Sequence, residues 1–79
     1  MPTLLFIKGL RFSFYSNENN EPVHVHVTKS GAEGKIWLEP VVFAYMRDFT
    51  TAEEKDVAEI ILEHSENFKM KWYEYFGKK

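Results

Sequence analysis

Two histidines, His24 and His26, are the residues of this sequence best suited to chemistry. They alternate with valine over residues 23–27. A two-residue alternation is the period of a β-strand, so both imidazoles are predicted to lie on one face of that strand. Imidazoles side by side can transfer protons, bind a phosphate or ligate a metal ion. The pattern alone does not choose among these three chemistries.

A predicted hairpin turn at residues 30–31 sets the register of the histidine strand. The pair is Ser-Gly, in which glycine supplies the positive φ that a two-residue turn needs. Antiparallel pairing across this turn places His26 opposite Lys35 and His24 opposite Trp37. Because this register keeps the apolar residues of both strands on one face, we expect it rather than a slip of one residue.

The alternation extends to a preceding strand, predicted over residues 10–16, and divides the sheet into two faces. The apolar face is predicted to carry Phe12, Phe14, Val23, Val25, Val27, Ile36 and Leu38. The other face, called the polar face below, is predicted to carry Arg11, Ser13, Tyr15, His24, His26, Thr28, Glu33, Lys35 and Trp37. Because the histidines lie opposite the core, truncating either is expected to cost no more than about 1 kcal/mol, or roughly 1–3 kcal/mol if another element covers them.

One hypothesis assigns the polar face to a metal-independent ribonuclease. His26 would take the proton from the 2′-hydroxyl, His24 would protonate the leaving oxygen, and Lys35 would stabilise the charge that develops on the phosphate. Arg11 and Tyr15 would bind the phosphate. Polar sheet faces are common without catalysis, so this hypothesis ranks below a binding surface.

Metal binding is a second chemical hypothesis for the polar face. Two histidines on one strand face can ligate the same ion, and Glu33, diagonal to His26, is the nearest third ligand. Glu33 is also an ordinary cross-strand partner for Thr28, so we predict neither a metal nor another cofactor. Trp37 could stack on a nucleobase, although aromatic side chains more often fill a core or a subunit contact. Glu33 and Trp37 are therefore kept as candidate binding residues.

The composition bounds the class of protein. The chain has 79 residues, which predicts one domain over residues 1–79. Seven Phe, four Tyr and two Trp suit a small core built from large side chains. The absence of cysteine excludes disulfides and thiolate metal sites. A formal charge of −2 argues against coating of nucleic acid, and no signal peptide or membrane span is recognised, so a cytoplasmic protein is expected.

The other elements of the sheet are short. Residues 3–7 are predicted to form a first strand, residues 8–9 a tight turn, and residues 16–21 a polar loop rich in asparagine. Residues 41–46 form an apolar run after Pro40 that fits either a strand or one helical turn. The sheet is therefore expected to span residues 3–40 with three to four strands.

A helical region is predicted over residues 51–76. Thr51 stands three residues before Glu54, which is the spacing of a capping box. A helical stripe follows at Val57, Ile61, His64, Phe68, Trp72 and Tyr75. A straight helix of this length would be about 38 Å long, so we expect either a break near His64 and Ser65 or a partner subunit at its aromatic end. The fold class is thus α+β, with a helix or helix pair packed on the apolar face.

The chain resembles the DUF4160 family of small prokaryotic proteins of unknown function, and the likeness covers nearly the whole chain. The resemblance lies in five blocks: Met1-Pro2-Thr3, residues 11–17 (RFSFYSN), residues 22–27 (PVHVHV), residues 34–41 (GKIWLEPV) and residues 72–77 (WYEYFG). Members often look like partners in two-gene cassettes similar to toxin–antitoxin modules. The chain departs from the family at Val23, where another proline is frequent, and at residues 42–43 and 45–46, where polar residues are usual.

The leading functional prediction is an interaction or regulatory component of a toxin–antitoxin-like module. Its partner would be a protein encoded nearby, with the polar face as the working surface. The alternative is the ribonuclease that uses His24, His26 and Lys35. A homodimer is also expected, because residues 41–46 and the aromatic helix end offer more apolar surface than so small a core can cover. A nucleic-acid partner is less favoured, and a membrane partner is not predicted.

Overall fold

The computed structural model describes residues 3–15 and 20–77 and shows a five-stranded antiparallel sheet followed by one helix. The strands lie in the sheet in chain order. Their bounds are β1 Thr3–Ile7, β2 Leu10–Ser13, β3 His24–Lys29, β4 Ala32–Leu38 and β5 Val41–Arg47, and helix α1 spans Thr51–Phe76. The α+β class is confirmed, with one strand more than the three to four expected. Of the predicted polar loop, residues 16–19 lie outside the described residues.

The hairpin between β3 and β4 has the predicted register. His26 pairs with Lys35, and His24 pairs with Trp37. Ser30 and Gly31 both have positive φ, 47° and 87°, so the turn has the backbone sense of a type I′ turn, whose twist matches that of the strands it joins. Strand β2 adds to the other side of β3. The two faces predicted from alternation are therefore the two faces of the sheet.

The fifth strand contains the apolar run at residues 41–46, for which the sequence allowed either a strand or one helical turn. A turn at residues 39–40, with a cis peptide bond, returns the chain along β4, so Pro40 stands outside the ladder and removes no strand hydrogen bond. Ile36 pairs with Phe43 and Lys35 pairs with Tyr45, which leaves Ala44 as the extra residue of a β-bulge. Strand β5 is thus an edge strand with an interrupted alternation.

Helix α1 is continuous, so of the two alternatives left open by its length, the break near residues 64–65 does not occur. The capping box is present but begins one residue earlier than predicted. The Oγ1 of Thr50 accepts a hydrogen bond from the Glu53 N–H at 3.1 Å, and the Glu53 carboxylate accepts one from the Thr50 N–H at 2.9 Å. The helix ends at Gly77, whose N–H donates to the Tyr73 carbonyl at 2.8 Å.

The pKa of Glu53 is lowered, first by the backbone hydrogen bond from Thr50 and then by Lys29, whose Nζ lies 3.0 Å from the carboxylate. A carboxyl group with a lowered pKa in the folded state stabilises that state above its ordinary pKa. This contribution is lost as the pH falls through the lowered value. The cap therefore stabilises the helix at neutral pH and weakens in acid.

Replacing the capping threonine tests where the helix begins. Thr50→Ala removes the hydroxyl acceptor of the Glu53 N–H and is expected to lower the free energy of unfolding by about 1 kcal/mol. Thr51→Ala is the matched control, because Thr51 is exposed and lies inside the helix, and its effect is expected to stay within about 0.5 kcal/mol. Urea denaturation followed by circular dichroism measures both, and a larger loss in Thr51→Ala would place the cap at Thr51.

The helix packs on the apolar face of the sheet. Phe12 stacks on Phe68 with ring centroids 5.5 Å apart, and Phe14 meets Trp72 edge-on at 5.3 Å. The predicted helical stripe is buried at Val57, Ile61, Phe68 and Trp72, and Ile60 is a further buried position. The predicted stripe residues His64 and Tyr75 are only partly covered. Within the described residues, no helix has the length and apolarity required to cross a bilayer.

Candidate functional site

The residues of the polar face come together as predicted from the strand register. Ser13, His26, Lys35 and Tyr45 form one row across β2 to β5, and each pairs with the next. A second row runs across all five strands through Phe6, Arg11, Thr28, Glu33 and Arg47. The alternation of the histidine strand thus continues, through strand pairing, into the neighbouring strands.

His24 lies at the centre of an aromatic cluster. Its ring centroid is 5.2 Å from those of His26 and Trp37 and 4.9 Å from that of Trp72, on the helix. The Nδ1 atom lies 2.8 Å from the carbonyl oxygen of Pro22. Because a carbonyl only accepts, this nitrogen carries the proton that is shared with Pro22. The ring is held in place by this hydrogen bond and by the rings around it.

Both histidines are buried, which corrects the expectation that their truncation would behave as a surface substitution. His24 is 1% exposed and His26 is 8% exposed. The ring of Tyr15 lies 4.5 Å from that of His26, and the core residue Trp72 contacts the ring of His24, so aromatic neighbours cover both histidines. Alternation identifies the face on which a side chain lies, but it does not show what covers that face.

Lys35 is positioned by a residue that the sequence analysis missed. Its Nζ lies 3.0 Å from the Oε1 of Glu21 and 4.4 Å from the ring centroid of Trp37. The same carboxylate oxygen is 3.9 Å from the Nδ1 of His24. Glu21 stands in the loop before β3, where no periodicity indicates which side chains point to the sheet. The Lys35 ammonium, beside the histidines, is therefore paired with a carboxylate.

The other predicted binding residues lie away from the histidines. Glu33 accepts hydrogen bonds from Arg47 at 3.0 Å and from Tyr45 at 3.3 Å. Burial raises the pKa of Tyr45, and the Glu33 carboxylate raises it further. The guanidinium of Arg11 lies 5.7 Å from the ring centroid of Phe6. Arg11 and Glu33 therefore belong to the border of the polar face.

The donor set of the described residues does not favour the metal hypothesis. Within residues 3–15 and 20–77, no three His, Cys, Asp or Glu side chains group closely enough to hold an ion. Glu33, the predicted third ligand, is bound by Arg47 instead. The polar face thus has a packed aromatic and imidazole centre with charged and aromatic side chains around it.

A separate groove of about 260 Å³ lies at the aromatic end of the helix. It is lined by Leu4, Phe14, Lys71, Glu74 and Tyr75, and none of these residues belongs to the polar face. Near this end of the helix, Tyr73 donates a hydrogen bond to Glu39 at 2.7 Å, which raises the pKa of the tyrosine. The end of the helix is therefore tied to the turn between β4 and β5.

Residues 9–73 match the model of a protein family described as a domain of unknown function, DUF4160. No curated protein and no solved structure matches the chain. The match covers most of the 79 residues, including the whole histidine strand and most of the helix. The chain therefore belongs to the DUF4160 family.

Proposed function

We propose that this member of the DUF4160 family is a protein-interaction module, the regulatory component of a toxin–antitoxin-like pair, and that it binds a protein encoded beside it. The observation that carries the proposal is the make-up of the polar face. Accessible arginine and aromatic side chains surround a packed centre there, and the helix reaches that centre at Trp72, which contacts His24. In the part of the chain that the structure describes, the one helix packs on the apolar face, and no helix lies across the polar face.

The residue types around the centre are those that anchor protein interfaces. Tyr, Trp and Arg are enriched among the side chains that carry most of the binding energy. On this face Phe6 is 64% exposed and Tyr15 is 39% exposed, and the arginines Arg11 and Arg47 are also exposed. A partner with apolar side chains and carboxylates would find complementary groups on this surface.

The charges on the face favour a protein over a nucleic acid. Lys35 and Arg47 are each paired with a carboxylate, from Glu21 and Glu33. A surface that binds a phosphate backbone needs an excess of cations, and this chain has a formal charge of −2. We therefore propose that the partner is a protein whose contact surface carries both positive and negative charges.

The burial of the histidines supports binding over the ribonuclease hypothesis. A general acid or base must reach the proton that it transfers, and the His24 side chain is 0% exposed. Its Nδ1 already donates to Pro22. We assign His24 and His26 a supporting role, in which they hold the rings of Tyr15 and Trp37 in place beneath the partner.

A binding titration tests the proposal. The chain is mixed with the product of the neighbouring gene, and the affinity of the parent is compared with that of Arg11→Glu. Reversal of this exposed charge on the polar face is expected to weaken binding about tenfold or more, equivalent to at least about 1.4 kcal/mol. Lys55→Glu is the matched control, because Lys55 is also an exposed cation but lies on the helix.

Equal affinities for the parent and for Lys55→Glu are expected. The proposal fails if no complex forms, or if Lys55→Glu weakens the complex as much as Arg11→Glu does. Circular dichroism of each variant shows that the fold is retained.

A further inference from the structure

The edge of the sheet at β5 is a second surface, distinct from the polar face. β5 pairs with β4 on one side, and within residues 3–15 and 20–77 no strand pairs with its other side. An edge strand therefore presents a row of backbone N–H and C=O groups that can pair with another strand. At seven residues it is longer than β1, the five-residue strand at the opposite edge.

The composition of β5 does little to prevent such pairing. Proteins protect sheet edges with charges, prolines, short strands or bulges. This strand reads VVFAYMR, with one charge, at its last residue. Val42 is 48% exposed and Phe43 is 39% exposed, and the two lie on opposite faces of the sheet. The protecting features of β5 are therefore the terminal Arg47 and the bulge at Ala44.

The bulge makes the strand complementary to a copy of itself. Val42 and Tyr45 are three residues apart, yet they pair with Trp37 and Lys35 and so share the polar face. Val41 and Met46 share the apolar face in the same way, because they pair with Leu38 and Gly34. In an antiparallel pair, residues directly opposite each other lie on the same face. A copy of β5 can therefore place its Tyr45 opposite Val42 and its Met46 opposite Val41.

We propose that two copies of this chain pair through β5, antiparallel and about a twofold axis, with Val42 of each copy opposite Tyr45 of the other. This register forms one ten-stranded sheet from two five-stranded sheets. It closes after two copies, whereas pairing of β5 with β1 of a copy would continue without end. The two polar faces then lie on the same side of the joined sheet.

Charge complementarity favours the antiparallel arrangement. Each β5 has Arg47 at its end, and the turn that precedes its start carries Glu39, which is exposed. Antiparallel pairing brings the Arg47 of one copy next to the Glu39–Pro40 turn of the other. Parallel pairing would instead place the two arginines side by side, and like charges in that position destabilise a pair of strands.

The oligomeric state tests the proposal. Sedimentation equilibrium of the parent at micromolar concentration is expected to give twice the 9.4 kDa mass of the chain. Ala44→Lys adds a charge at an exposed position of the edge and is expected to give a monomer with an unchanged circular dichroism spectrum. Lys55→Glu, on the helix, is the control and is expected to remain a dimer.

Cysteine pairing tests the register, because the native chain contains no cysteine. A mixture of Val42→Cys and Tyr45→Cys is expected to form a mixed disulfide on mild oxidation. Val42→Cys alone and Phe6→Cys, on β1, are expected to form far less. A monomeric parent overturns the proposal, as does a dimer that survives Ala44→Lys or links preferentially through Phe6→Cys. The partner assay above varies Arg11, on β2, so failure of the β5 dimer is distinguishable from failure of the proposed function.

Discussion

Phe12→Ala is expected to leave most molecules unfolded at room temperature. Phe12 is 0% exposed, and its ring stacks on Phe68, so truncation removes a buried aromatic contact between the sheet and the middle of the helix. Loss of a buried phenylalanine costs about 3–5 kcal/mol. A single core in a domain of this size rarely supplies more than about 3–5 kcal/mol of net stability. The loss is therefore comparable to the whole stability of the chain.

Phe6→Ala is the matched control for Phe12→Ala. Phe6 lies on the neighbouring strand and is 64% exposed, so its truncation is expected to change the free energy of unfolding by no more than about 1 kcal/mol. Thermal denaturation followed by circular dichroism measures both variants. A well-folded Phe12→Ala variant with a melting temperature close to the parent would contradict the packing of the helix on this face.

His24→Ala is expected to lower the free energy of unfolding by about 1–3 kcal/mol. The substitution removes the Nδ1 donor of a partly buried hydrogen bond to the Pro22 carbonyl and opens a space beside Trp72. His24→Asn should recover part of the loss, because the side-chain amide is a shorter N–H donor toward the same carbonyl. The quantity to compare is the urea midpoint of each variant.

His64→Ala provides the control for His24→Ala. The His64 side chain is 33% exposed on the helix, so its loss is expected to cost less than about 1 kcal/mol. If His24→Ala were as stable as the parent, the buried histidine cluster described above would be wrong. The polar face would then be a simple exposed surface, as the sequence alone suggested.

The register of the sheet could be predicted because it depends on local chemistry. The Ser30-Gly31 turn and the alternation on either side of it fix which residues of β3 and β4 face each other. The burial of His24 could not be predicted in the same way. It depends on Trp72, which is separated from His24 by most of the chain, and no local pattern shows that the two rings meet.

Strand β5 and the start of the helix are two further features that local sequence patterns do not decide. A six-residue apolar run fits a strand or a helical turn equally well, and its pairing with β4 decides between them. Thr50 and Thr51 each stand three residues before a glutamate, so the capping-box spacing alone does not identify the cap. The helix needs no break because Phe14 and Glu39 provide contacts for its last turns, beyond the ends of β2 and β4.

We propose that this protein acts by binding and not by catalysis through its histidines. The most direct test is the growth rate of cells that express the chain alone, compared with cells that express His26→Gln at the same level. Glutamine keeps hydrogen-bonding groups at this position but cannot act as an acid or base near neutral pH. We predict equal growth and no arrest in both cultures. Growth arrest by the parent that is relieved in His26→Gln would contradict a binding function and support the ribonuclease hypothesis.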